Sequence, residues 1–167
     1  MKFALKRFKN YPRMSEETEA FNADVFYEGV LVGSAENGGR GGSTFVRLNP
    51  KGREIPEVVA ADAMPEFANG AVNEDSLGQI VDNLVEQLLK AKWLEKERKK
   101  VVKKLAANVL FNRKGDKDGT FRTYNLAGKP FDEVNLFAKK VAGQPDVSRV
   151  LNLMPFDDAF QLLVRAE

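Results

Sequence analysis

Apolar and polar residues alternate with period two early in the chain. Phe21, Ala23, Val25 and Tyr27 fall on one face of an extended strand, with Asn22 and Asp24 on the other. Phe3, Leu5 and Phe8 give residues 2–9 a shorter amphipathic run, which Tyr11-Pro12-Arg13-Met14-Ser15 breaks. Glu28-Gly29 reads as a turn, and Val30-Leu31-Val32 as the returning strand of a hairpin. A glycine-rich turn, Gly38-Gly39-Arg40-Gly41-Gly42, precedes a further strand over 44–48. Asn49-Pro50-Lys51-Gly52 reads as a loop. Pro56 opens a short helix over 57–64, which Pro65, Asn69 and Gly70 end or interrupt.

The period then changes from two to 3.6. Ser76-Leu77-Gly78-Gln79 has the S-x-x-Q form of a capping box. Leu77, Ile80, Val81, Leu84, Val85, Leu88 and Leu89 follow at helical spacing, a stripe able to dock on a sheet. Beyond Trp93-Leu94 the stripe thins to Val101, Val102 and Leu105, and the helix runs on as a charged rod to about Ala107. This stretch, 94–107, either projects or lies on the surface. A second hairpin is expected from Val109-Leu110-Phe111 and 120–126 around Gly115-Asp116-Lys117-Asp118-Gly119. Pro130 opens a helix bearing Phe131, Val134, Ala138 and Val141, closed by Gly143. A short strand over 147–153 precedes a last helix from Pro155, with Phe156, Ala159, Phe160, Leu163 and Val164 on one face. The pattern predicts one α+β domain over residues 1–167. An antiparallel β meander is packed by a long central helix, with a second hairpin and two C-terminal helices.

Composition narrows the chemistry. The 167 residues include no histidine and no cysteine. Imidazole acid–base catalysis, thiolate nucleophiles, disulfides and cysteine zinc sites are therefore excluded. Carboxylates, lysine, tyrosine, serine and arginine remain, and binding is expected in preference to catalysis, with no cofactor. Charges interrupt the first residues too often for a signal peptide, and no run reaches the length of a membrane span. The expected setting is cytoplasmic. Net charge is only +2, but it is unevenly placed. Residues 54–89 hold eight acids and no Lys or Arg, and residues 90–104 hold eight Lys or Arg against two Glu.

Two constellations stand out. In the glycine-rich turn, backbone freedom combines with Arg40 and Ser43, and Arg13 is a further candidate for the same contact. Gly39, Arg40, Gly41, Gly42 and Ser43 suit an anion or partner contact through backbone N–H groups and a guanidinium. The turn matches neither a P-loop nor the dinucleotide fingerprint, because the lysine is missing and a strand follows where both motifs need a helix. The second constellation is the basic helix. Lys96, Lys99, Lys100, Lys103 and Lys104, with Lys90 and Lys92 before them, could follow a phosphate backbone or an acidic partner, and Trp93 offers a stacking surface. These lysines surround most of the rod, and Glu95–Lys99 forms an i,i+4 pair among them. Asp116-Lys117-Asp118-Gly119 begins like an EF-hand loop but lacks its third acid and its final glutamate. No spacing forces Glu16, Glu17, Glu19, Asp24, Asp157 and Asp158 together, so no metal site is assigned.

The stretch from Tyr11 to Asp24, followed by Asn37-Gly38-Gly39-Arg40-Gly41-Gly42, resembles an uncharacterised family of small bacterial and phage proteins. The tail Leu151-Asn152-Leu153-Met154-Pro155-Phe156-Asp157-Asp158-Ala159 is similar to that family's ending. The resemblance implies a cytoplasmic setting and a phage or mobile-element origin, and it carries over no functional residue. The expected function is a small non-enzymatic binding or regulatory protein that contacts nucleic acid or a nucleic-acid-handling host or defence protein. A nucleotide or anion binder using the glycine-rich turn and a purely protein-binding inhibitor stay open as alternatives, as does oligomerisation.

Overall fold

The computed structural model describes residues 2–68 and 71–165. The expected break at Asn69 and Gly70 lies outside these residues. The chain is α+β and divides into two compact units, Met1–Lys90 and Ala91–Glu167. No helix among the described residues is long and apolar enough to cross a membrane.

In the first unit, β1 (Phe3–Asn10), β2 (Phe21–Tyr27), β3 (Val30–Asn37) and β4 (Phe45–Leu48) form an antiparallel sheet in chain order. Period two explains its two faces. Phe21, Ala23, Val25 and Tyr27 of β2 are buried with Val32 and Ala35 of β3, while Asn22, Ser34 and Glu36 are exposed. The edge strand β1 is bulged opposite Asp24 and Asn22, where Arg7 takes a left-handed φ of 51°. Such a bulge disrupts an edge that could otherwise pair with another chain.

The segment 49–52, expected as a loop, enters a one-turn helix, α1 (Pro50–Arg53). The Asn49 side chain accepts from the Gly52 N–H at 2.8 Å and donates to the Leu31 carbonyl at 2.8 Å, so one residue caps the turn and fastens it to β3. Helix α2 (Pro56–Ala63) buries Val58 and Ala61. The two-residue strands β5 (Phe67–Ala68) and β6 (Ala71–Val72) pair antiparallel ahead of α3 (Leu77–Ala107). Ser76 caps α3 by accepting from the Gln79 N–H at 3.3 Å, and the Gln79 amide donates onward to Asn83. Leu77, Val81 and Val85 of α3 close the first core against the sheet and α2. Each such buried aliphatic side chain contributes about 1.5–3 kcal/mol.

The second unit begins within α3. Residues 94–107, where the apolar stripe thins, enter a core of their own: Val101 is buried, and Leu94 and Leu105 pack beside it. Strand β7 (Asn108–Arg113) follows α3 directly and pairs with β8 (Arg122–Asn125) and with β9 (Val147–Val150), giving the order β8-β7-β9. β7 is buried on both faces. Val109 and Phe111 pack with Val150 and with Val134, Ala138 and Val141 of α4 (Phe131–Ala142). Leu110 packs on the other face with Val101, Leu151 and the Ala159, Phe160 and Leu163 side chains of α5 (Phe156–Arg165). The strand expected over 147–153 ends at Val150, and Leu151–Leu153 form a turn of 3-10 helix.

Candidate functional site

The glycine-rich turn joins β3 to β4 and is tied to the 11–20 loop. Gly39 (φ 81°) and Gly41 (φ 78°) occupy the left-handed region. The Gly39 carbonyl accepts from the N–H groups of Glu16 (2.8 Å), Glu17 (3.0 Å) and Thr18 (3.4 Å), and a Cβ at Gly39 would overlap the Met14 carbonyl. The segments carrying Arg13 and Arg40 therefore meet at one end of the first sheet. Both arginines are exposed, as are Gly42 and Ser43.

An anion nest needs consecutive N–H groups turned outward. Here the Gly39 N–H donates to Asn37 Oδ1 at 2.9 Å and the Gly41 N–H to Thr18 Oγ1 at 3.4 Å. The Glu17 carboxylate borders Gly41 and opposes an anion there. Asn37 is the hub. Its oxygen also accepts from the Thr18 hydroxyl (3.0 Å), and its amide donates to the Gly42 carbonyl (2.9 Å) and to Thr44 Oγ1 (3.2 Å). The buried Thr44 hydroxyl in turn donates to Asp82 Oδ1 of α3 at 2.5 Å. This arrangement makes the turn a strut that fixes two loops to a helix. The sequence reading missed Asp82, whose signal was an acid inside the apolar stripe of α3.

Burial pushes the Asp82 carboxyl above its ordinary value of 3.8, with Glu66 adding to the rise and the Thr44 hydrogen bond opposing it. The native state thus holds this proton more tightly than the unfolded chain does. The resulting stability is fully present below the ordinary carboxylate value and is lost as pH climbs through the raised native value. Asp82→Asn keeps an acceptor for Thr44 and removes the titration. It is expected to flatten that fall in melting temperature above pH 4 and to leave the protein at least as stable at pH 7. A steeper fall in the variant would refute this account.

The basic helix gains a direction from its packing. Val101 and Glu97 are buried and Leu94 and Leu105 partly so, which fixes the 94-97-101-105 line toward the second core. An α-helix turns 100° per residue, so Lys92, Lys96, Lys99 and Lys103 fall within about 60° of one another on the opposite side. All four are exposed. Around the full rod the lysines look scattered; against the core they resolve into a stripe spaced four, three and four residues. Lys99 pairs with Glu95 at 2.6 Å, and that ammonium holds the Glu95 carboxyl below its ordinary value. Lys100 turns to the buried Glu97 at 2.6 Å, and Lys104 lies on the flank. Of the lysines singled out from the sequence, Lys96, Lys99 and Lys103 are brought together, and Lys92 joins them.

The EF-like turn is occupied by arginine. Asp116 accepts from Arg122 Nε (3.0 Å) and Nη2 (2.8 Å) and from the Arg113 N–H (2.7 Å). These contacts, the Arg122 bonds first, hold its carboxyl down at about 2. Among the described residues no three acidic side chains gather to hold a metal ion. The chain matches no family model, no curated protein and no solved structure.

Proposed function

We propose that this is a non-catalytic protein that binds nucleic acid along α3. The observation that carries the reading is the lysine stripe Lys92, Lys96, Lys99 and Lys103, turned away from the second core. Eleven residues separate its ends, about 16 Å of track at 1.5 Å per residue. That length faces several phosphates of one strand at about 3.4 Å of rise each. Lysine suits this task because its ammonium is a mobile point charge that tolerates varied phosphate positions. The glycine-rich turn serves as architecture under this reading, since Asn37 and Thr18 take the Gly39 and Gly41 N–H groups.

Binding through four phosphate contacts releases counterions and must weaken with salt. The expected loss is about a hundredfold between roughly 50 and 200 mM monovalent salt. Exchanging Lys92, Lys96, Lys99 and Lys103 together for glutamine is expected to abolish most of that dependence, reducing the log–log slope by about 3 to 4 units. The substituted side chains are exposed, so the fold is retained. Filter binding with single- and double-stranded DNA and with RNA measures both quantities. Absence of binding at about 50 mM salt to every form, or binding that ignores the quadruple substitution, would overturn the proposal.

A further inference from the structure

A cleft of about 420 Å³ opens in the second unit, beside the core that Leu110 and α5 share. Asn112, Arg149, Arg165, Asp118, Phe121 and Leu162 line it. Arg149 is the cross-strand partner of Asn112, so both side chains stand on one face of the β7–β9 pair. Arg165 reaches the same space from the last turn of α5. Residues 91–165 contain five arginines. Three are answered by carboxylates: Arg98 by Asp157, Arg113 by Asp146 and Arg122 by Asp116. The Arg149 and Arg165 side chains have no ion-pair or hydrogen-bond partner among the described residues, although Asp118 lines the same cleft. The two unanswered guanidinium groups of this unit thus share one cavity. A cation in the last turn of a helix suits the exposed carbonyls there, which accounts for Arg165 alone.

We infer that this cleft binds a nucleoside monophosphate. The phosphate lies between Arg149 and Arg165, where planar forks of donors match its oxygens. The base rests on Phe121 and Leu162, both half-buried and apolar, and a ribose hydroxyl donates to Asp118. The volume falls within the range of small-ligand sites. The inference is independent of the lysine stripe, which lies on another element.

Isothermal titration of the full chain with ribonucleoside 5′-monophosphates, the matching uncharged nucleosides and inorganic phosphate tests it. The monophosphate is expected to bind at least about tenfold more tightly than either fragment, because only it engages both the arginines and the apolar wall. Arg149→Ala and Arg165→Ala are each expected to weaken it by about tenfold or more, and Arg149→Lys, which keeps the charge without the fork, by less. An unchanged melting temperature certifies the folding of these surface variants. The inference is overturned by any of three results: no saturable monophosphate binding, equal affinity for phosphate alone, or binding that survives loss of both arginines.

Discussion

Gly39→Ala is expected to destabilise the protein by about 3 kcal/mol, while Gly38→Ala, one residue away, changes stability by no more than about 1 kcal/mol in either direction. Two physical terms separate them. Gly39 sits at φ 81°, which disfavours any side chain, and a Cβ there would overlap the Met14 carbonyl. Gly38 has open space around its Cβ position and no positive φ. Gly29→Ala isolates the backbone term alone, because Gly29 has φ 85° with nothing near its Cβ, and about 1 kcal/mol is expected there. The excess at Gly39 arises because Met14 cannot withdraw without cost. The Gly39 carbonyl holds the Glu16, Glu17 and Thr18 N–H groups, and its own N–H is fixed to Asn37. Urea unfolding followed by far-ultraviolet circular dichroism gives the three values. Equal losses at Gly39 and Gly29 would show that the 11–20 loop yields freely, and the strut described above would then be wrong.

The parts of the fold legible in the sequence are those set by local period. The inner face of β2 and the first half of α3 show their periods clearly, because the fully buried positions there (Phe21, Ala23, Val25 and Tyr27; Leu77, Val81 and Val85) are apolar and Asp82 is the one acid beside them. The second core was hidden for a specific reason. Its helical line reads Leu94, Glu97, Val101, Leu105, and a glutamate at a buried position breaks the stripe. That acid is tolerated because Lys100, one turn on, pairs with it. The lysine stripe was hidden by the same omission: a helical face has meaning only relative to the core direction, and Glu97 obscured that direction. Helix α1 escaped because it is four residues long and depends on Asn49 reaching both Gly52 and Leu31, a contact between distant segments. The Asn37 hub is invisible for a related reason. Its partners come from the 11–20 loop and the glycine turn, and no spacing rule connects them. The pairing of β9 with β7 crosses a whole helix and likewise leaves no local signal.

Asn152→Leu is expected to cost the second unit about 3 to 4 kcal/mol, more than its half-buried position suggests. Asn152 Oδ1 accepts from the Leu110 N–H at 2.9 Å, and Nδ2 donates to the carbonyls of Leu105 and Asn108, both at 2.8 Å. The need is topological. Helix α3 ends at Ala107 and β7 starts at Asn108 with no intervening loop. The last carbonyls of a helix lack partners within it, and a strand that begins immediately supplies none. One side chain with an acceptor and two donors meets three backbone groups there, and leucine leaves all three unsatisfied. Asn108→Ala, which removes a single exposed bond to the Lys104 carbonyl, serves as the control and is expected to cost about 1 kcal/mol. Asn152→Asp separates hydrogen bonding from shape. The carboxylate still accepts from Leu110 but faces two carbonyl oxygens, so it is expected to destabilise strongly at neutral pH and to recover in part as acid protonates it. Loss of stability in the aspartate variant that does not ease on acidification would mean that the Leu105 and Asn108 carbonyls are satisfied by other groups. Asn152 would then be reduced to a single contact with β7, and the closing of α3, which orients Lys103, would have to be sought in the Val101 and Leu105 packing alone.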